Sequence, residues 1–240
     1  MISNKHLALK AFTTKILDNP IASSVAGIYL FGSVARGEED EGSDIDLIVI
    51  GTDRLRTIQE LCHEISFDLA IEYKESIEPL VYCIEEYRHP PSYFLYSATR
   101  YGKEIYQMER EELKKKEAFN LLELAKEYLR SAEVNLHEGQ YRACVDLSYN
   151  SAELVVKGLI LLKQDILPQS HGGVVGRFGE IYVKTGILPP HLGRNLNNSL
   201  EQRNKARYDW HAEIDKDKAQ KVINLAQELI EILEKASGEA

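Results

Sequence analysis

Apolar residues in the first 110 positions follow two different spacings. Some recur every three or four residues, which predicts helices, and others form short continuous runs, which predict buried strands. In order, the pattern predicts a helix over 2–17, strands over 25–31 and 45–51, a helix over 53–64, and strands over 66–73 and 101–106. Asn19-Pro20 ends the first helix. The front of the chain is therefore expected to mix helices with a small sheet.

Beyond a densely charged stretch at 109–116 the spacing becomes purely helical. We place the boundary near residue 112, which gives domains 1–112 and 113–240. Expected helices cover the apolar stripe from Ala118 to Leu136 and residues 141–163, 174–185, 190–206 and 217–235. The predicted fold class is α+β, with a small mixed-sheet domain followed by an all-α up-and-down bundle.

Composition and charge narrow the classes of protein. Hydrophobic residues make up 44% and charged residues 28%, which is ordinary for a folded chain. The 29 Lys and Arg against 38 Asp and Glu leave a net charge of −9, so a DNA duplex is not expected as partner and RNA would need a local patch. The three cysteines are scattered and no stretch is long enough to span a membrane, so we expect a cytoplasmic protein without disulfides or membrane contact.

Gly32-Ser33 and the pair Asp44 and Asp46 carry the most specific chemical signal. At Gly32-Ser33 a predicted strand delivers small residues whose backbone N–H groups can approach a phosphate, and the hydroxyl adds a donor. Because side chains alternate along a strand, Asp44 and Asp46 point to the same face. Two such carboxylates repel each other, and a hard cation such as Mg²⁺ or Mn²⁺ would offset that cost.

Two alternatives apply to these residues. The aspartate pair taken alone is also typical of an exposed acidic turn, since residues 38–41 before it are all acidic. Arg36 could brace a phosphate or simply balance those acidic residues. The complete string of strand, Gly-Ser, Arg-Gly, Ser-Asp-x-Asp and strand favours the phosphate and metal interpretation, because each part meets a different need of one site.

On these motifs, about residues 20–110 resemble the polymerase-β-like nucleotidyltransferase superfamily. The resemblance implies that the nucleotide is held by Gly32, Ser33, Arg36 and Ser43. It also implies that Asp44 and Asp46 bind Mg²⁺, with a third carboxylate from a later strand. Asp68 is expected in that role, in catalysis and as metal ligand, because it interrupts the apolar run 66–71; Glu72 is its substitute.

Residues 118–236 resemble the HEPN family of small helical bundles. The resemblance rests on the long paired first helices, on Tyr141–Tyr149 and on Arg203–Asp209. Family members with ribonuclease activity carry Arg, four to six residues, then His. Here seven residues separate Arg203 from His211 and three separate Arg207 from it, so this chain departs from the ribonuclease pattern.

The segment around Arg203 has two interpretations. It is either a solvated turn between helices with Trp210 anchored in the core, or a local cationic patch of Arg203, Arg207 and His211 that binds an acceptor or RNA. Tyr208 beside it is a candidate modification site.

Together the two resemblances imply a Mg²⁺-dependent enzyme that moves a nucleoside monophosphate from an NTP, ATP foremost, to an unidentified acceptor hydroxyl. The helical half would help to bind the acceptor and form a homodimer. The layout is similar to that of kanamycin nucleotidyltransferase, although no residue specifies an aminoglycoside. One alternative is a fused toxin–antitoxin module, in which a HEPN ribonuclease is restrained by the front domain. The other is a non-catalytic nucleotide-binding or assembly protein.

Overall fold

The fold is described from a computed structural model, in which residues 3–40 and 42–238 are defined. Glu41 of the acidic stretch lies outside this range, as do the first residue of the helix predicted over 2–17 and the last two residues of the predicted domain 113–240. The chain divides into two compact units, Met1–Leu113 and Lys114–Ala240. The structure confirms the predicted α+β class, with a mixed four-stranded sheet followed by helices.

The first unit contains four strands and five helices among its described residues. The strands are β1 (Val25–Phe31), β2 (Ile45–Gly51), β3 (Ile77–Cys83) and β4 (Lys103–Gln107). The helices are α1 (Asn4–Leu17), α2 (Gly32–Arg36), α3 (Leu55–Tyr73), α4 (Ile84–Arg88) and α5 (Tyr93–Tyr101), with a 3₁₀ turn at Pro20–Ser24. Both central strands, β1 and β2, have the predicted bounds.

The strands are ordered β3-β2-β1-β4. β1 runs antiparallel to β2 and to β4, while β2 and β3 are parallel and joined through α3. Each central strand supplies side chains to two cores, since alternate residues point to opposite faces. On β2, Ile45, Leu47 and Val49 pack with α1 and α3, whereas Ile48 and Ile50 pack with α4 and α5. Asp46 therefore belongs to the face covered by α4 and α5.

The prediction of a strand over 66–73 is wrong, because these residues complete α3. Their buried positions continue the spacing of the preceding turns: Ile58, Cys62, Ile65 and Leu69 are four or three residues apart and pack into one core. That spacing fits a helix with one buried stripe and does not fit the alternation of a strand. The strand that lies parallel to β2 is instead β3, which begins four residues after Tyr73.

The second unit is helical throughout its described residues. Its helices are α6 (Arg110–His137), α7 (Tyr141–Leu161), α8 (His171–Phe178), α9 (Pro190–Tyr208) and α10 (Lys216–Ser237), with a π-helical turn at Gly179–Val183 after α8. The core gathers around α7, which has Tyr149 fully buried. Ser151 on α7 donates to the Ala125 carbonyl of α6 at 2.8 Å, a bond across the paired first helices.

Two further expectations concern cysteines and membranes. Cys62, Cys83 and Cys144 are all free thiols. Among the residues the structure describes, no helix combines the length and apolar character needed to cross a bilayer.

Candidate active site

Gly32 and Asp46 approach each other closely at the end of β1. Phe31 pairs with Asp46 in the β1–β2 ladder, so the chain turns into α2 directly beside the Asp46 carboxylate. Gly32 adopts a left-handed φ of +72°, and a Cβ atom added there would lie 1.9 Å from Asp46 Oδ2. Only glycine therefore fits both the backbone conformation and the space that the carboxylate occupies.

Asp46 is half-buried in repulsive surroundings. Burial, and after it the neighbouring charge of Asp44, raises the pKa of the Asp46 carboxyl above its usual range, while Arg36 acts in the opposite direction. The pair is therefore close enough for one charge to disfavour the other. A site that holds two carboxylates under such strain favours the arrival of a cation.

Arg36 is partly committed to another carboxylate. Its Nε lies 2.6 Å from Glu38 Oε2 in an exposed ion pair. Such a pair contributes at most about 1 kcal/mol, so it is weak enough for an incoming phosphate to displace. The structure thus shows Arg36 balancing the acidic segment and also influencing Asp46.

The segment before Asp44 is held by its own side chains. Ser43 Oγ lies 2.9 Å from Asp40 Oδ1, and the Asp40 N–H donates to Ser43 Oγ at 2.9 Å. The hydroxyl predicted to bind nucleotide therefore closes this turn. Lys5 on α1 is buried and its ammonium donates to the Ser43 carbonyl and to Glu75, both at 2.6 Å.

Asp68 is not brought to this site. It lies on the exposed side of α3, and α3 packs against the sheet face opposite to that of Asp46. Glu72 is exposed on the same helix. The expectation of a strand-borne third carboxylate at Asp68 is therefore wrong in its placement.

Glu78 on β3 is the carboxylate that the sequence interpretation missed. It pairs with Asp46 in the parallel β2–β3 ladder, and paired residues share a face of the sheet. Glu78 and Leu80 are exposed, whereas Ile77 and Pro79 are buried, so burial alternates at the start of β3. The sequence does not show this alternation, because the exposed Leu80 is apolar.

The carboxylates fit a metal ion that arrives with a nucleotide. Mg²⁺ is commonly bound through one or two protein carboxylates together with substrate phosphates, and Asp44 and Asp46 supply that number. Among residues 3–40 and 42–238, no three His, Cys, Asp or Glu side chains form a group that could hold a metal ion. A metal ion at Asp44 and Asp46 would therefore need further oxygen ligands from its substrate or from water.

In the second unit, the two arginines of the predicted patch share one aspartate. Arg203 is buried and donates to Asp146 at 3.1 Å, and Arg207 lies 3.7 Å from the same Asp146 oxygen. Arg203 is therefore a structural cation linking α9 to α7, and the prediction of a surface patch that includes it is wrong.

The loop after α9 exposes aromatic rings. Trp210 is 81% exposed, so it is not the expected core anchor, and its ring contacts that of His211 with centroids 3.5 Å apart and planes tilted by 32°. Arg142 on α7 fixes this loop, because its guanidinium donates to five backbone carbonyls between residues 205 and 212. Tyr208 is 72% exposed at the start of the same loop.

Two protein-family models match the chain, one in each half. Residues 14–111 match the polymerase beta nucleotidyltransferase family model, and residues 118–236 match that of the HEPN domain. The chain joins a polymerase beta nucleotidyltransferase domain to a HEPN domain. Both resemblances noted in the sequence are thereby confirmed.

Three relatives each align with about half of the chain. Putative toxin MJ0142 of Methanocaldococcus jannaschii is 33% identical over 111 residues, covering 46% of this chain and 74% of the relative. Putative toxin MJ0605 of the same organism is 29% identical over 119 residues, covering 50% and 87%. A UPF0332 protein of Thermotoga maritima is 30% identical over 111 residues, covering 46% and 83%.

Among solved structures, the spectinomycin adenyltransferase of Enterococcus faecialis, determined with ATP and spectinomycin, covers 93% of this chain and 98% of its own. It is 14% identical with a TM-score of 0.33, and we draw no conclusion from so low a score.

Proposed function

We propose that the protein is a Mg²⁺-dependent nucleotidyltransferase that moves a nucleoside monophosphate from an NTP to an acceptor hydroxyl. The approach of Asp46 to Gly32 carries this proposal. It places a carboxylate whose negative charge is disfavoured by its surroundings against a backbone turn that only glycine can form. We call Gly32-Ser33 the phosphate seat. A carboxylate next to it would repel a phosphate unless a cation lay between the two. Mn²⁺ would satisfy the same oxygen donors.

In the proposed reaction the acceptor oxygen attacks the α-phosphorus, the bond between the α-phosphorus and the bridging oxygen to the β-phosphate breaks, and pyrophosphate leaves. A Mg²⁺ ion, when bound, supplies positive charge to the phosphate oxygens. Gly32 and Ser33 hold the phosphates through backbone N–H groups and a hydroxyl, and Arg36 exchanges Glu38 for a phosphate oxygen. Asp44 and Asp46 are the residues that would hold this ion, and their place beside Gly32 would keep it next to the phosphates.

Glu78 replaces Asp68 as the third carboxylate of this proposal. Its position beside Asp46 on the neighbouring strand supports this role, and its exposed side chain is free to take the proton of the acceptor hydroxyl. Ser43 acts indirectly in this scheme, since its hydroxyl holds the turn that delivers Asp44.

The helical half would bind the acceptor and pair two copies of the chain. Arg207 and His211 remain exposed and are the candidate acceptor contacts, whereas Arg203 is committed to Asp146. Replacing Arg207 with Ala should weaken acceptor binding and leave NTP binding unchanged.

The experiment that tests the proposal is transfer from each α-labelled NTP, with Mg²⁺ and a cell extract, followed by identification of the labelled product. Asp44→Asn, Asp46→Asn and Glu78→Gln should each lower transfer by at least about 100-fold. Asp68→Asn is the matched control, since it removes the same kind of group from the exposed side of α3. Wild-type transfer by Asp46→Asn would contradict the proposal. Specific NTP binding without transfer to any acceptor would instead favour the non-catalytic alternative.

The second candidate function is a fused toxin–antitoxin module. It is favoured by two relatives that are themselves named putative toxins, and by Tyr208, whose exposed hydroxyl could accept a nucleotide from the front domain. Its test is RNA cleavage by the full chain, with His211→Ala as the variant, because an exposed residue can be replaced without loss of the fold. Cleavage that is lost in His211→Ala and suppressed after nucleotidylation of Tyr208 would favour this candidate over the first.

A further inference from the structure

A cavity of about 480 Å³ opens beside Gly32 in the first unit. Phe31, Gly32 and Arg36 form one side of it, and residues of α5 form the other, among them Phe94 and Tyr101. The residues proposed to hold phosphate therefore also line a space large enough for a flat ring system.

The aromatic rings on α5 are placed to meet a ligand rather than to fill the core. Tyr93 is 79% and Tyr101 is 74% exposed, although both line the cavity. Their helix is nevertheless anchored, because Leu95 and Ala98 are buried against the sheet. Rings that a fixed helix holds toward a cavity can stack on a ligand without a large loss of freedom.

Phe94 completes a corner of the cavity. Its ring meets that of Phe31 edge to face, with centroids 5.4 Å apart and planes at 80°. Phe31 is the residue that pairs with Asp46, so this corner lies on the carboxylate face of the sheet. A molecule with phosphates at Gly32 and a ring in the cavity would therefore span one continuous surface.

The lining offers stacking surface and little for reading the edge of a base. Among the described residues that line the cavity, none is Asn, Gln, Asp or Glu. Asn and Gln form paired hydrogen bonds with adenine, and Asp and Glu accept from the amino group of cytosine. Arg36, which lines the cavity and could pair with guanine, is assigned to the phosphates in the proposed function. Sites that lack such bonds discriminate weakly between related ligands. Stacking depends on ring area, so a purine would gain more than a pyrimidine.

We infer that this cavity binds the base of the donor nucleotide by stacking, and that it makes the enzyme selective for purine over pyrimidine NTPs with little preference between ATP and GTP. The inference rests on the proposed function, since Gly32 and Arg36 must hold the donor phosphates. Phe94 and Tyr101 are then residues that determine donor specificity.

The test measures the affinity of the full chain for Mg²⁺ complexes of ATP, GTP, UTP and inorganic tripolyphosphate by calorimetry, without acceptor. ATP and GTP should bind within about threefold of each other, and about tenfold more tightly than tripolyphosphate, the gain typical of one stacked base. UTP should bind more weakly than either purine nucleotide, and equal affinities for UTP and ATP would overturn the selectivity. Tyr101→Ala should lower ATP affinity about tenfold and leave tripolyphosphate affinity unchanged, whereas Tyr101→Phe should keep the wild-type value.

Phe67→Ala is the matched control, because Phe67 is a 69% exposed aromatic residue on α3 outside the cavity. Its ATP affinity should equal that of the wild type. Equal affinities of the wild type for ATP and tripolyphosphate would overturn the inference and leave the phosphate seat intact. An equal loss of ATP and tripolyphosphate binding in Tyr101→Ala would also overturn it, by showing a general structural effect.

Two further outcomes separate an acceptor cavity from a failure of the phosphate seat. Unchanged ATP affinity in Tyr101→Ala, combined with weaker binding of an RNA acceptor, would overturn the inference and assign the cavity to an acceptor base. Failure of the wild type to bind either ATP or tripolyphosphate would contradict the proposed function itself, and the inference with it.

Discussion

Asp46 of the first unit and Glu153 of the second are carboxylates withdrawn from solvent, yet their surroundings act on them in opposite directions. Glu153 on α7 is buried and accepts from Lys157 at 2.8 Å and from His171. Burial alone would raise the pKa of the Glu153 carboxyl, but the hydrogen bonds and charges of these two partners together outweigh it and lower the pKa. Glu153 is thus a charge whose partners are supplied within the fold.

Asp46 has the opposite environment. Burial and Asp44 raise the pKa of its carboxyl, and Arg36, which opposes them, is itself paired with Glu38. Lys157 and His171 thus stabilise the charge of Glu153, whereas burial and Asp44 disfavour the charge of Asp46. The comparison teaches that a carboxylate held under strain is a better indicator of a ligand site than burial or charge alone.

Gly32→Ala should give the largest effect on transfer, because the added methyl group would occupy the space of the Asp46 carboxylate. The new Cβ would force the Asp46 carboxylate to turn away, so transfer should fall by at least about 100-fold. Gly37→Ala is the matched control: Gly37 also has a left-handed φ, of +69°, but among the described residues no atom beyond its chain neighbours lies within 4 Å of an added Cβ. Both variants should lose about 1–2 kcal/mol of stability from backbone strain. Wild-type transfer rates in Gly32→Ala would contradict the assigned role of Asp46.

Glu153→Gln should give the next largest effect, this time on stability. Removal of the charge leaves Lys157 and His171 without their shared partner, at a cost of about 1–3 kcal/mol in the free energy of unfolding. Since folding lowers the pKa of Glu153, its contribution is present above the unfolded pKa of about 4.3 and is lost as the pH falls toward the folded value.

Chemical denaturation at pH 7 and pH 3.5 would measure the Glu153 effect. The exposed Glu231 on α10 provides the control Glu231→Gln, which should change stability by less than about 0.5 kcal/mol. A Glu153→Gln variant as stable as the wild type at pH 7 would remove the contrast with Asp46.

Asp46→Asn should change stability least of the three variants, and in the opposite direction, since it is expected to stabilise the fold. Folding raises the pKa of Asp46, so the wild type loses stability as the pH rises through the unfolded pKa of about 3.9 toward the folded value. Without Mg²⁺, the variant should therefore have a higher Tm than the wild type at pH 7, and the difference should vanish at pH 3. A less stable variant at pH 7 would show that Asp46 has a fixed partner, as Glu153 does.

Local signals predicted the centre of the first unit. β1 and β2 are short continuous apolar runs, and the Gly-Ser and Asp-x-Asp motifs at their ends depend on neighbouring residues alone. The prediction of the third carboxylate was wrong because residues 66–71, taken alone, look like an apolar strand interrupted by Asp68. The helical spacing of the preceding residues continues through them. β3 was not predicted at all, and it contains Pro79, which is tolerated there because β3 is an edge strand.

The loop of the second unit depends on contacts distant in sequence, which spacing cannot reveal. Arg203 is buried because Asp146, 57 positions earlier, accepts its hydrogen bond. Trp210 is exposed because Arg142 fixes the backbone of the loop through carbonyls and so makes an aromatic anchor unnecessary. Arg203 is thus buried instead of exposed, and Trp210 is exposed instead of buried. Neither could be predicted, because Asp146 and Arg142 are too distant in sequence to give a local signal.

The buried ammonium of Lys5 makes α1 part of the support of the acidic site. It joins the carbonyl before Asp44 to Glu75, which lies just before β3, so a single side chain connects the approaches to both carboxylate-bearing strands. A protease that cuts within α1 would release this link without touching a residue proposed to contact nucleotide. Slower cleavage of α1 when Mg²⁺ and ATP are present would then report occupation of the site from a helix that lies on the other face of the sheet.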